Sequence, residues 1–292
     1  MRPLLMPLAE RVGRRALWRR GARSQWLMTR YGRMHCYDSS GSGNLPTIAL
    51  LHGLAAAATP FGPLLMRLRK DTRRILAPDH LGHGFSAGRT APLTPTSLLG
   101  ATRETLDRLL DEPAIVVGNS LGGAIAVRYA LSSPQNVKAL VLVSPAGAHC
   151  DDNEWRELKR LFAMTTRADA AVFFRRVYHE PPWFLSLVAH ELPACMASAP
   201  VRSLLFGASN TTALRPEELE ALDVPVMLVW GQEERLLPDS NLAYFRRHLP
   251  RGTRIERPDG FGHSPHIDAP DALADLIVDF ARQIEASRLV ES

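Results

Sequence analysis

Gly118-Asn119-Ser120-Leu121-Gly122 sets a serine between two glycines, where the apolar run AIVVG (114–118) gives way to the helical pattern LGGAIAVRYAL (121–131). A serine hydroxyl is a weak nucleophile until a base takes its proton and a rigid turn presents it to substrate. A sharp strand-to-helix turn supplies the second condition: small flanking residues let strand and helix approach closely, and the hydroxyl stands exposed at the positive end of the helix dipole. The chemistry on offer is acyl transfer through a covalent serine ester; the bland alternative is a glycine-rich turn with an incidental serine. Metal and disulfide chemistry are not expected. Cys36, Cys150 and Cys195 are odd in number and lack CxxC spacing, and the His/Asp-rich stretch Pro78–Ser86 lacks convergent ligand spacing. No cofactor is implied.

Such a turn needs a strand before it, a helix after it and a sheet around it. Trp26 to Arg30 and Arg33 to Tyr37 read as strands, followed by TIALLHG (47–53), RRILAPD (73–79), PAIVVGN (113–119), VKALVLVSP (137–145), VPVMLVWG (224–231) and TRIERPD (253–259). The last six are short, β-branched, apolar runs of the kind buried on both faces of a parallel sheet. Helical segments at about 60–70, 96–111, 121–132, 239–249 and 270–286 alternate with them. The pattern predicts an α/β fold with a doubly wound, mostly parallel, eight-stranded sheet. One interval breaks the rhythm: residues 148–223 are rich in helix formers and aromatics, with no strand-like spacing, and are too long for a simple crossover. They read as a helical cap inserted into a core made of 26–147 and 224–292, preceded by a basic arm over 1–25.

At this point the chain resembles the α/β-hydrolase fold superfamily, from about residue 26 to 286, and its serine carboxylesterase and lipase branch in particular. That resemblance implies the order nucleophile, acid, histidine, each after a strand. His263, in Gly260-Phe261-Gly262-His263, matches the family's catalytic base, with His266 the weaker candidate. The family's acid falls three residues beyond the glycine that ends the preceding strand, and here Glu234 occupies it in place of the usual aspartate. Glutamate reaches about 1.5 Å further and can still orient the imidazole. Glu233, or Asp151 and Asp152 after the strand before, are alternatives. His52-Gly53-Leu54 resembles the family's oxyanion loop, which implies the backbone N–H groups of Leu54 and Leu121 as the oxyanion hole. Asp79, His80 and His83 fall in a loop that is structural in the family.

Composition fits a globular chain, at 46% hydrophobic and 22% charged residues. The net charge of +5 is segregated: the first 30 residues carry eight arginines against Glu10, a balance of +7, which leaves the other 262 residues at −2. The body therefore has no basic character suited to nucleic acid. No apolar run reaches the roughly 18 residues of a membrane span, and the arm lacks the apolar stretch of a secretory signal. On a helical wheel Arg11, Arg14 and Arg15 share one side, with Leu5, Ala9, Val12 and Ala16 opposite, so the arm reads as a helix packed on the body or lying on an anionic membrane surface. The protein is expected in the cytoplasm, peripheral to membrane if the arm binds lipid.

The leading expectation is a carboxylic ester hydrolase acting on a small-molecule or lipid ester, with Phe173, Phe174, Trp183 and Phe184 of the cap lining the substrate pocket. A carbon-carbon hydrolase of the meta-cleavage type shares the Gly-Asn-Ser-x-Gly-Gly elbow and is the alternative enzyme; a receptor-like, non-catalytic member of the fold is the alternative outside catalysis.

Overall fold

A computed structural model describes residues 3–88 and 93–291; Met1 and Arg2 of the basic arm lie outside the described residues. In chain order the strands are β1 (Arg23–Thr29), β2 (Gly32–Ser40), β3 (Ile48–Leu51), β4 (Arg74–Pro78), β5 (Ala87–Gly88), β6 (Ala114–Asn119), β7 (Val137–Val143), β8 (Val226–Val229) and β9 (Arg254–Glu256). The helices are α1 (Leu5–Arg19), α2 (Gly62–Leu68), α3 (Pro95–Leu109), α4 (Leu121–Ser132), α5 (Asp152–Phe162), α6 (Arg167–Val177), α7 (Leu185–Val188), α8 (Leu192–Met196), α9 (Ala199–Gly207), α10 (Pro216–Glu220), α11 (Asp239–His248), α12 (Pro265–Asp268) and α13 (Pro270–Glu291). Eight strands form one sheet in the order β1-β2-β4-β3-β6-β7-β8-β9, and the two-residue β5 pairs with β2 beside it. The hairpin β1-β2 and the β2-β4 pair are antiparallel, and every pairing from β4 to β9 is parallel.

The apolar runs are continuous because each central strand feeds two cores. In β6, Val116 joins one hydrophobic cluster while Ile115 and Val117 join the other; Leu140 and Leu142 oppose Val141 and Val143 in β7 in the same way. One face is covered by α3, α4 and α11 through residues such as Leu98, Ile125 and Phe245, the other by α2 and α13 through Leu64, Leu65, Ile277 and Phe280. The strand order reverses around β3: β4 lies on one side of it and β6 on the other. Chains leaving β3 and β6 therefore diverge at their carboxyl ends, and the crevice that opens there is where an open α/β sheet binds its ligands.

Between β7 and β8 the sheet is interrupted by α5 to α10, with a third hydrophobic cluster made largely from Met164, Phe173, Phe174, Val177, Leu192 and Met196. The arm differs from its sequence reading in two respects. Arg23, Ser24 and Gln25 already pair with Asp38, Tyr37 and Cys36, so the sheet begins three residues earlier than apolar character suggests, as an edge strand permits. In α1 the residues turned to the body are Met6, Glu10, Gly13 and Leu17, and Leu5, Ala9, Val12 and Ala16 face outward with Leu4 and Leu8. Leu17 is buried in the second core, a Cβ at Gly13 would meet the Thr59 side chain at 2.5 Å, and Met6 packs on the third cluster.

The loop after β4 is held by Asp79, which is fully buried. Its carboxylate accepts from the Ala58 N–H at 2.7 Å and the Phe85 N–H at 2.9 Å, and contacts His35 Nδ1 at 2.8 Å. A Cβ on Gly84, at φ 51°, would sit 2.3 Å from this carboxylate, so the glycine is required by both conformation and space. Asp79→Ala should cost roughly 3–5 kcal/mol in urea unfolding, since it orphans two buried N–H groups and a histidine. A loss under about 1 kcal/mol would show that the loop stands without its carboxylate.

Candidate active site

Ala114 through Asn119 are buried, and Ser120 is the first residue of the run to reach the surface. Its backbone sits at φ 55°, ψ −119°, a conformation costing of order 1–3 kcal/mol for a residue with a Cβ. Four backbone bonds hold it there: its N–H donates to Val143 O at 3.1 Å, and its carbonyl accepts from the N–H groups of Gly123, Ala124 and Ala146. The flanking glycines are sterically obligatory, because a Cβ at Gly118 would lie 2.4 Å from Gly122 O and one at Gly122 would lie 2.1 Å from Leu51 O.

Gly53 faces this turn from β3; a Cβ there would stand 3.2 Å from Ser120 Cβ and 3.7 Å from its Oγ. The next residues turn sharply, with Ala55 at φ 59°. Leu121 opens α4, where a backbone N–H has no partner within the helix. The structure thus sets the Gly53-Leu54 turn and the first turn of α4 on either side of the Ser120 hydroxyl. His52 and His80 lock the first of these. The His80 N–H donates to His52 Nε2 at 2.9 Å, so His52 carries its proton on Nδ1 and donates it to Gly53 O at 2.8 Å. His80 Nε2 donates in turn to the His52 carbonyl.

His263 follows β9 and is tied to the serine turn by Asn119, whose Nδ2 donates to His263 O at 2.8 Å and to Val143 O at 3.1 Å. Its Nδ1–H donates to Glu234 Oε2 at 2.8 Å, with both side chains almost wholly buried. The other Glu234 oxygen accepts from the N–H groups of Leu236 and Leu237 at 2.7 and 3.0 Å. Burial alone would raise this carboxyl, but His263 and those backbone donors outweigh it and hold it below the usual carboxylate range. Among the described residues the Ser120 hydroxyl makes no hydrogen bond.

The alternative acids are placed elsewhere. Asp151 is the N-cap of α5, accepting from Asn153 and Glu154 N–H groups, and Asp152 is exposed in that helix. Glu233 has one buried carboxylate oxygen with no partner and makes no hydrogen bond to His263 among the described residues. His266 is buried against the Phe61 ring. Phe173 and Phe174 lie in the third cluster, against which Leu54 and Ala55 pack. Trp183 and Phe184, expected in the substrate pocket, are instead 78% and 51% exposed and stand outside that cluster. Among the described residues no group of His, Cys, Asp and Glu could hold a metal ion.

Residues 48–276 match the model of the Alpha/beta hydrolase family. The chain belongs to that family. An uncharacterized protein of Mycobacterium tuberculosis is 28% identical to this hydrolase over 278 residues, covering 86% of this chain and 79% of that one. The pimeloyl-[acyl-carrier protein] methyl ester esterase of Neisseria meningitidis serogroup C is 26% identical over 249 residues, 81% of this chain and 94% of its own. The crystal structure of carboxylesterase CesB from Bacillus subtilis superposes with a TM-score of 0.76 at 21% identity, covering 95% of this hydrolase and 98% of the esterase. At that identity the likeness is one of fold.

Missed by the sequence reading is the histidine cage around the site. Burial is the first cause that holds His52, His80, His83 and His266 neutral: His80 and His266 are pushed down to about 3, and His52 and His83 also fall below 6.5. Below pH 6.5 the unfolded chain takes up protons on these rings that the folded chain refuses. Stability should be complete above pH 6.5 and fall as the pH drops, by up to about 1.4 kcal/mol per pH unit for each of His80 and His266. Urea midpoints measured across pH 7.5 to 5 check this, and His266→Leu should flatten the slope by one proton; an unchanged slope would mean that His266 titrates in the folded protein.

Proposed function

We propose that this hydrolase cleaves carboxylic esters through an acyl-enzyme on Ser120, with His263 as base and Glu234 as its orienting acid. The observation that carries the reading is the buried Glu234–His263 pair, clipped by Asn119 to a serine turn of strained geometry. Ser120 Oγ attacks the ester carbonyl as His263 Nε2 takes its proton. The oxyanion that forms lies within reach of the Leu54 and Leu121 N–H groups, in a site where fixed donors need no reorganisation. Collapse breaks the carbon–alkoxy bond, and the alcohol leaves with the proton from His263. A water then gives its proton to His263 and attacks the acyl-enzyme, releasing the carboxylic acid and restoring Ser120. Leu54, with Phe173 and Phe174 behind it, forms the apolar wall for the acyl or aryl group.

Support for ester cleavage also comes from the esterase named among the relatives. The Gly-Asn-Ser-x-Gly-Gly elbow is shared with carbon-carbon hydrolases of the meta-cleavage type, but those tend to carry tryptophan after the histidine, where this chain has Ser264. Hydrolysis of a p-nitrophenyl ester without turnover of a dienoic ring-fission product is the expected outcome; the reverse selectivity would reassign the reaction, and turnover of neither would favour a receptor.

Ser120→Ala should lower kcat by roughly four or more orders of magnitude with the fold retained by circular dichroism. Glu234→Gln should lower it by roughly 10⁴-fold, because an amide cannot stabilise the imidazolium, while Glu233→Gln should stay within a few-fold of the native enzyme. Comparable losses in the two glutamate variants would remove Glu234 from its role.

A further inference from the structure

Helix α1 is fixed at both ends, and what it leaves outward is unusual. Its amino end is held by Glu191, a buried side chain 185 residues and more along the chain, whose carboxylate accepts from the Leu4, Leu5 and Met6 N–H groups at 2.7 to 2.8 Å. Its carboxyl end is held by Leu17 in the second core. With Met6, Glu10, Gly13 and Leu17 inward, Leu4, Leu8, Arg11, Val12, Arg15, Trp18 and Arg19 project to solvent. Leu4 is 72% and Trp18 65% exposed. Trp183, Phe184 and Leu187, in the segment that leads to Glu191, are exposed as well.

Among the described residues the arginines of α1 and of the turn that follows it enter no ion pair. Arginines elsewhere enter most of the nineteen ion pairs, yet among the described residues none of those pairs includes Arg11, Arg14, Arg15, Arg19, Arg20 or Arg23. Arg14, Arg15 and Arg23 instead line an open groove of about 430 Å³ with Trp18, Ser24 and Trp26. Arg14 lies over the Trp26 ring at 5.4 Å and the Phe85 ring at 4.7 Å.

We propose that this face docks on an anionic lipid bilayer: the leucines and aromatics enter the acyl boundary, the tryptophans sit at headgroup level, and the arginine groove takes a headgroup phosphate. Among the described residues no helix is long and apolar enough to cross a membrane, so the contact is peripheral. Apolar side chains beside unpaired arginines are what an interfacial helix requires, whereas an acidic soluble partner would need the charge but not the exposed leucines.

Co-sedimentation of the full chain with vesicles of phosphatidylcholine, with and without phosphatidylglycerol, tests this. Binding should require phosphatidylglycerol and weaken with salt as the charges are screened. Replacing Arg11, Arg15 and Arg19 together by glutamine should weaken it by about fivefold each, on the order of a hundredfold in all. Leu4→Ser with Leu8→Ser should also weaken it, and both variants should keep full hydrolysis of a soluble short-chain ester. Ser120→Ala should bind vesicles like the native chain, so failure of the esterase reading and failure of lipid docking are separable. Equal binding to both vesicle types, no effect of the variants, displacement by inorganic phosphate far beyond chloride at equal ionic strength, or equal affinity for soluble polyglutamate would each overturn the proposal.

Discussion

Backbone crowding where α4 meets β3 is the constraint on which the rest of the site depends. Gly122 is pressed so closely on the Leu51 carbonyl that no Cβ fits between them, and Gly118 is pressed on Gly122 in the same way. Only this approach brings the first turn of α4 level with the Gly53-Leu54 turn. It also forces Ser120 into positive φ, and the strain is offset by the four backbone bonds that converge on that residue. A larger side chain at Gly122 would push the helix outward and separate its first turn from the Gly53-Leu54 turn.

Around this contact the protein places polar groups whose protonation is fixed in advance. His52 can brace the Gly53 carbonyl because its other nitrogen accepts from the His80 N–H, an arrangement that a protonated ring could not make. Burial keeps the cage neutral, and Glu234 has His263 as its charged partner. Asn119 then joins the strand that leads into Ser120 to the loop that carries His263, through a bond to a main-chain carbonyl that does not depend on the charge of the imidazole.

The elbow was legible because it is local: glycine spacing, an apolar run and a helical pattern lie within twenty residues. The parallel sheet was legible because burial on both faces leaves unbroken apolar runs. The pairing of Glu234 with His263 was legible only through resemblance, since nothing in Gln232-Glu233-Glu234 distinguishes two adjacent acids until the chain bends Leu236 and Leu237 back onto one of them. The inner face of α1 was misread because its own sequence does not choose it; Thr59, Leu17's core and Glu191 do. The edge strand began early for the related reason that hydrogen bonds, not apolar side chains, hold Arg23 to Gln25. Asp79 lay within a loop read as structural, and its part as a hub joining Ala58, Phe85 and His35 could not be derived without the fold.

The helices between β7 and β8 are not uniformly attached to the core. At the end of α6 the attachment is close: Ser264 N–H donates to Val177 O, and Asp268 accepts from both His179 N–H and Gly262 N–H. A Cβ at Gly262 would meet His179 N at 2.6 Å. The loop carrying His263 and the carboxyl end of α6 are therefore one packed unit, and displacing α6 would displace His263. Beyond His179 the chain runs through two prolines and the short α7 to Glu191, where it is fastened to α1 rather than to the sheet. The segment between them is thus tied at its near end to the His263 loop through His179 and at its far end to the amino end of α1 through Glu191.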